Sequence, residues 1–267
     1  MKKFLDINGI QICVDDTETG NEAILLFHGL TGSKDGMYPL RDMLKDDYRV
    51  ITVDTRGHGE STRPKEYTLD DHAKDAHEII KALDLEKANV LGYSMGSYVA
   101  LRTAEFGCDD IDHLILLCTK PSGATSSVAR LLKEANLDIT QVSAEEMMRV
   151  ILKASVAPQT LELIQSGAID LEEMMKGDES LQLSEEEKAI EDASLANFDN
   201  SKDYDKVSCK TLVIGAEYDG INPSELGREV ANGIEGAQFE LINDAGHMVL
   251  MEKPEELMGI IKKFLKD

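Results

Sequence analysis

A short apolar run, Ala88 to Leu91, leads directly into Gly92-Tyr93-Ser94-Met95-Gly96, and a helical pattern follows at once. That order leaves the chain few choices. A strand must become a helix within a few residues, with a serine at the apex of the turn. Gly92 and Gly96 lack Cβ atoms, so strand, turn and helix can pack closely there. The serine Oγ then projects above a sheet. The Met95 N–H falls at a helix N-terminus, where unpaired backbone donors favour an anion. A turn of this kind seats a nucleophile only if the chain also supplies a base, an orienting acid and a second oxyanion donor.

The surrounding sequence provides the sheet. Apolar runs at Phe4 to Ile7, Ile10 to Val14, Glu22 to Phe27, Arg49 to Val53, Ala88 to Leu91, His113 to Leu117, Thr211 to Ile214 and Gln238 to Ile242 predict strands. Asn8-Gly9 joins the first two, and both residues tolerate positive φ, so this is a hairpin. The later strands alternate with helical patterns at Gly36 to Leu44, Leu69 to Leu83, Met95 to Phe106, Pro223 to Asn232 and Pro254 to Leu265. That rhythm is one of βαβ units and a mostly parallel sheet with an antiparallel edge. Between residues 121 and 205 it stops. No good strand run occurs there, and short helices are expected at Val128 to Ala135, Ala144 to Lys153, Gln159 to Gln165, Leu171 to Lys176 and Glu185 to Ala196. Ser143/Glu146 and Ser184/Glu187 have capping-box spacing. The expected organisation is an α/β core of residues 1–120 and 206–267 with a helical insertion, 121–205.

Charge narrows the partners. The net charge is −23, which disfavours nucleic acid, anionic membranes and polyanionic substrates. Cys13, Cys108, Cys118 and Cys209 form no C-x-x-C pair and no metal-ligand spacing, so free thiols in a reducing compartment are expected. Asp6 and Asn8 interrupt the N-terminus too early for a secretory apolar region. No run approaches the ~20 residues of a membrane span. The expectation is a cytoplasmic protein without metal or organic cofactor, acting on a small molecule. Its oligomeric state is left open, a homodimer included.

The candidate base is His247, in Asn243-Asp244-Ala245-Gly246-His247 after the last strand. Loops at the C-terminal ends of parallel strands form the ligand edge of such a sheet. Asp219 follows the preceding strand and is the candidate acid. The order Ser94, Asp219, His247 is the one this kind of elbow uses. Asp244 lies too near His247 in sequence to reach its Nδ1 easily, and Glu217 fits the turn less well than Asp219. A second oxyanion donor is expected from the Leu30 N–H, in the loop His28-Gly29-Leu30-Thr31-Gly32, acting with the Met95 N–H. His28 is expected to fix its loop. Asp54-x-Arg56-Gly57-x-Gly59 reads as a tight, ion-paired turn, which makes His58 structural.

From His28-Gly29 through Asp54-x-Arg56-Gly57-x-Gly59-x-Ser61, Gly92-x-Ser94-x-Gly96 and Asp219 to Gly246-His247, the chain resembles the α/β-hydrolase fold superfamily. The resemblance implies an eight-stranded, mostly parallel sheet flanked by helices, with segment 121–205 as a helical cap. Dehalogenases and epoxide hydrolases of this fold carry an aspartate nucleophile, which Ser94 is not. Prolyl iminopeptidases usually carry tryptophan where Met95 stands. Ser97 occupies a position that is glycine in many relatives. What remains resembles carboxylesterases, enol-lactonases and carbon–carbon-bond hydrolases. A serine hydrolase of small carboxylic esters is expected, with Met147, Met148, Met174 and Met175 of the cap as candidate pocket residues. A carbon–carbon hydrolase would want a basic cap residue for a substrate carboxylate, with Arg130 and Arg149 as candidates. A ligand-binding protein on the same scaffold is the non-enzymatic alternative.

Overall fold

The structure, a computed structural model, describes residues 1–124, 126–138, 140–170 and 181–266. Eight strands form one sheet: β1 (Lys2–Ile7), β2 (Ile10–Asp16), β3 (Ala23–Phe27), β4 (Arg49–Val53), β5 (Ala88–Tyr93), β6 (Ile111–Leu117), β7 (Lys210–Ala216) and β8 (Gln238–Ile242). Their spatial order is β1-β2-β4-β3-β5-β6-β7-β8. β1 and β2 pair antiparallel through the Asn8-Gly9 turn, where φ is +46° and +77°. β2 also runs antiparallel to β4, and every later pair is parallel.

The central strands read as unbroken apolar runs because both of their faces are covered. Along β3, Ala23, Leu25 and Phe27 enter one core cluster while Ile24 and Leu26 enter the other. β6 alternates likewise, Leu114 and Leu116 against Ile115 and Leu117. On the first face lie α2 (Leu69–Ala82) and α3 (Met95–Phe106), through Ile79, Ile80, Val99 and Leu101. On the other lies α1 (Tyr38–Leu44), through Leu40 and Leu44. The period-two alternation of strand side chains thus splits one apolar sequence between two cores.

Between β6 and β7 the described residues form α4 (Ser127–Glu134), α5 (Ala144–Ser155), α6 (Pro158–Gln165) and α7 (Glu185–Leu195). The helix expected at Leu171 to Lys176 lies outside the described residues. Both capping boxes form: Ser143 and Ser184 accept from the N–H of Glu146 and Glu187, whose carboxylates reach back. The two ends of the segment are joined. Gly123 N–H donates to Phe198 O (2.8 Å) and Asn200 N–H to Pro121 O (3.0 Å). The segment therefore leaves and rejoins the sheet at one neck.

Two ties reach from α7 to the loop before α2. The Tyr67 hydroxyl donates to Glu191 Oε2 (2.5 Å), and Arg63 pairs with Glu187 (3.1 Å). After β7 come α8 (Ser224–Gly233), the short α9 (Val249–Glu252) and α10 (Pro254–Phe264). α8 covers the first face through Val230 and Ala231, and α10 the second through Leu257 and Ile261. α9 carried no clear signal in the sequence, being a single turn. Among the described residues no helix is long and apolar enough to cross a membrane.

Candidate active site

Ser94 stands where β5 turns into α3, with φ +53° and ψ −118°. A non-glycine residue there costs of order 1–3 kcal/mol, so its surroundings must hold it. They do so by hydrogen bonds. The Ser94 N–H donates to Leu117 O (2.9 Å), and its carbonyl accepts from the Ser97 N–H (2.9 Å) and Ser97 hydroxyl (2.5 Å). Ser97, the departure noted in the sequence, thus leaves the helix start intact and braces the turn. The elbow also excludes side chains. A Cβ on Gly92 would lie 2.0 Å from Gly96 O, and one on Gly96 would lie 2.3 Å from Phe27 O. The glycines let α3 lie against both its own strand and the end of β3.

The structure brings Ser94, His247 and Asp219 into one chain of hydrogen bonds. His247 Nε2 is 2.9 Å from Ser94 Oγ, and His247 Nδ1 is 2.7 Å from Asp219 Oδ2. All three are buried. The second carboxylate oxygen, Asp219 Oδ1, accepts from the N–H groups of Ile221 (2.9 Å) and Asn222 (2.8 Å). An acceptor-only carboxylate facing Nδ1 requires the proton there, which leaves Nε2 as an acceptor for the serine.

The neighbouring elements keep this chain in place. The Tyr93 hydroxyl donates to His247 O (2.9 Å). Asn222 Nδ2 donates to Cys118 O and to the Tyr98 hydroxyl, both at 2.7 Å. Glu252 of α9 accepts from the Gly246 N–H (2.6 Å) and the Ala157 N–H (2.8 Å). Glu217 is exposed and accepts from the Asp244 N–H (2.9 Å), so it braces the His247 loop instead of facing the imidazole. The end of α5 grips both functional loops, Ala154 O accepting from Gly220 N–H (2.8 Å) and Ser155 O from Met248 N–H (2.9 Å). Sequence reasoning missed Tyr93, Asn222, Glu252 and the α5 terminus. Except for the Glu252 bond to Gly246, six residues away, each acts through contacts more than 60 residues distant along the chain, for which no local pattern exists.

Gly29 packs against Ser94, a Cβ there lying 3.4 Å from Ser94 Cβ, so the loop carrying Leu30, one of the two expected oxyanion donors, borders Ser94. Among the described residues, neither the Leu30 nor the Met95 N–H has an intramolecular acceptor. His28 fixes the loop as expected. Its Nε2 accepts from the Thr55 N–H (3.2 Å) and its Nδ1 donates to Gly29 O (2.8 Å). Burial pushes its pKa down to about 4, so it stays neutral. His58, also buried, is pushed down to about 3.

The turn Asp54 to Gly59 is tight and ion-paired, and its ion pairs run outward to other elements. Asp54 takes the ammonium of Lys34 (2.9 Å), and Arg56 forms a two-pronged pair with Asp75 (2.7 Å each). Among the described residues, two clusters of potential metal ligands occur, and in each the carboxylates are already engaged. Cys118 joins Asp219 and His247, which are engaged with each other, and Cys13 joins Asp54 and Glu60, which share Lys34.

Met147 is half-buried, whereas Met148 is 53% exposed. Helix α5 buries none of its residues fully; it packs beside α4 and α6, and its C-terminal end meets the loops of Gly220 and Met248. Met174 and Met175 lie outside the described residues. Arg130 is tied to Glu134 (2.9 Å) and donates to Ile221 O (3.3 Å), and Arg149 is exposed and paired with Glu145 (3.2 Å). Lys120, unnoticed in the sequence, is buried at the neck with its Nζ 5.6 Å from the Tyr98 ring centroid.

A family model described as alpha/beta hydrolase fold matches residues 22–254. Among curated proteins, the chain is 28% identical to 3-oxoadipate enol-lactonase 1 of Acinetobacter baylyi, over 92% of this chain and 90% of that protein. It is 25% identical to a proline iminopeptidase of Pestalotiopsis fici over the whole of both chains. Among solved structures, a thermophilic esterase from Thermogutta terrifontis superposes with a TM-score of 0.79 at 28% identity, over 100% of this chain and 98% of that one.

Proposed function

Because this chain belongs to the α/β-hydrolase fold family, we propose that it is a serine hydrolase cleaving small carboxylic esters through an acyl-enzyme on Ser94. The observation that carries the reading is the unbroken hydrogen-bonded series Asp219–His247–Ser94 at 2.7 and 2.9 Å. As Ser94 Oγ attacks the ester carbonyl, His247 Nε2 takes its proton. Asp219 stabilises the resulting imidazolium and keeps the ring oriented. The oxyanion forms against the Leu30 and Met95 N–H groups, donors that need no reorganisation in the transition state. Collapse returns the proton from His247 to the leaving alcohol and leaves the acyl group on Ser94. Water then gives a proton to His247 and attacks the acyl carbon, and the second collapse re-protonates Ser94 and releases the acid.

The helical segment 121–205 is the cap in this reading, and Met147 its pocket residue among the described positions. Ser94 is only 8% exposed, which suits a small acyl group. Two of the named relatives, the enol-lactonase and the esterase, act on ester bonds by name. Arg130 is tied to Glu134 and the Ile221 carbonyl, and Arg149 is exposed and paired with Glu145, which supports the ester reading over a carbon–carbon hydrolase that would want one of them for a substrate carboxylate. Turnover of p-nitrophenyl acetate and butyrate by wild type and Ser94→Ala tests the proposal. The variant is expected to lose at least about 10³-fold in kcat with its fold intact. Undiminished hydrolysis by Ser94→Ala, or failure of a fluorophosphonate probe to label Ser94, overturns it.

A further inference from the structure

The topology pairs two of the four scattered thiols. Cys108 lies in the loop before β6, and Cys209 immediately precedes β7. β6 and β7 are neighbouring parallel strands, with His113 opposite Lys210. The loops feeding them therefore lie side by side, at the end of the sheet opposite the serine elbow. There the two Sγ atoms approach to 3.1 Å, against ~2.05 Å for a covalent S–S bond. Both cysteines are half-buried and both line a surface cleft of about 500 Å³ whose walls include Lys87, His113 and Lys210. Cys13 and Cys118, by contrast, are fully buried.

We propose that Cys108 and Cys209 form a reversible dithiol–disulfide site that exchanges with low-molecular-mass disulfides. Cys108 Sγ faces Cys209 Sγ at 3.1 Å and Ala104 O at 3.4 Å. Contact with Cys209 holds the Cys108 thiol below its ordinary value, while contact with Cys108 and burial hold Cys209 above its own, so Cys108 is the attacking sulfur. The Cys108 thiolate attacks one sulfur of the small disulfide, expelling a thiolate and forming a mixed disulfide. The Cys209 proton passes to the expelled thiolate. The Cys209 sulfur then attacks Cys108 Sγ and expels the second small thiolate, which takes a proton from water. The protein pair loses two electrons, and the small disulfide is reduced to two thiols. The site is independent of the hydrolase reading.

The full-length protein is equilibrated with glutathione disulfide and glutathione at graded ratios, and its thiols are counted by maleimide labelling and mass spectrometry after acid quench. The expected result is a fall from four labelled cysteines to two, the loss of two hydrogens, and a proteolytic cross-link joining the Cys108 and Cys209 peptides. Cys209→Ser is expected to stop at a glutathione adduct on Cys108, and Cys108→Ser to lose no thiol pair. Cys108→Ala and Cys209→Ala, checked by circular dichroism, replace either serine variant that folds poorly. Four retained thiols at the most oxidising ratio, a persistent glutathione adduct on wild type, or a cross-link through Cys13 or Cys118 refutes the proposal.

Discussion

Replacing Asp219 by asparagine alters one atom and is expected to reverse a proton. Asp219 Oδ1 is fixed by the N–H groups of Ile221 and Asn222 at 2.9 and 2.8 Å, and Oδ2 faces His247 Nδ1 at 2.7 Å. In the variant, the amide oxygen must stay with the two backbone donors. Turning it around would lose both hydrogen bonds and set an NH₂ against two N–H groups, a cost of roughly 2–4 kcal/mol. The NH₂ group therefore faces Nδ1, which can then only accept. The imidazole proton moves to Nε2, the atom 2.9 Å from Ser94 Oγ, and the base can no longer take the serine proton. Restoring the working tautomer requires the amide flip, and the imidazolium also loses a charged partner worth roughly 1.5–3 kcal/mol. Together these amount to about 3.5–7 kcal/mol, or on the order of 10³–10⁵ in rate. The assay is kcat and KM for p-nitrophenyl acetate, with the melting curve as a check on folding and fluorophosphonate labelling as an independent measure of Ser94 reactivity. The expected signature is a fall in kcat at nearly constant KM, matched by slower labelling. A loss below tenfold in a folded variant refutes the tautomer argument. Glu217→Gln, which touches only the Asp244 N–H, should stay within a few-fold of wild type; a large loss there would move the acid to Glu217.

Gly96→Ala drives a methyl group into Phe27 O and His28 O, at 2.3 and 2.7 Å, so α3 must shift from β3; a fall in kcat of at least about 10²-fold is expected, and an unchanged kcat would contradict the elbow packing. Glu191 is buried between α7 and the core, with Tyr67 and His58 beside it, and burial raises its pKa from 4.5 to about 7. The folded state thus binds the proton more tightly, a contribution fully present below about pH 4.5 and lost as pH rises through 7, of roughly 3 kcal/mol. Glu191→Gln should therefore gain on wild type as thermal midpoints are compared from pH 5 to pH 8, and a pH-independent difference refutes the assignment. Asp75→Ala strips the buried Arg56 guanidinium of both its carboxylate bonds, and urea titration should show about 3–5 kcal/mol of lost stability; a loss under 1 kcal/mol would show that water reaches Arg56.

Much of the architecture could be read from one sequence because it is written in local periodicity. The central strands announced themselves as short apolar runs, since both of their faces are covered. Helix ends were marked by side chains such as Ser143 and Ser184 that satisfy free N–H groups. Ser94, Asp219 and His247 could be singled out because each follows a strand, and loops after parallel strands gather at one edge. Their hydrogen bonds could not be read, nor could the path of the ion pairs. Arg56 stands in a turn that read as ion-paired, but nothing local named its partner, which is Asp75 of α2. Met148 looked like pocket lining, and its 53% exposure could not be read from the spacing.

The sequence by itself therefore determined the strand-and-helix order and the residues that stand at the edge of the sheet. These follow from periodicity and from the backbone demands of a glycine-flanked turn, both of which act over a few residues. Tertiary structure alone decided what holds those residues still and what else lies within reach. The α5 terminus grips the loops of Asp219 and His247, Tyr67 meets Glu191, and Cys108 meets Cys209 101 residues along the chain. No local propensity encodes such meetings, because they exist only once parallel strands have brought distant loops to the same end of the sheet.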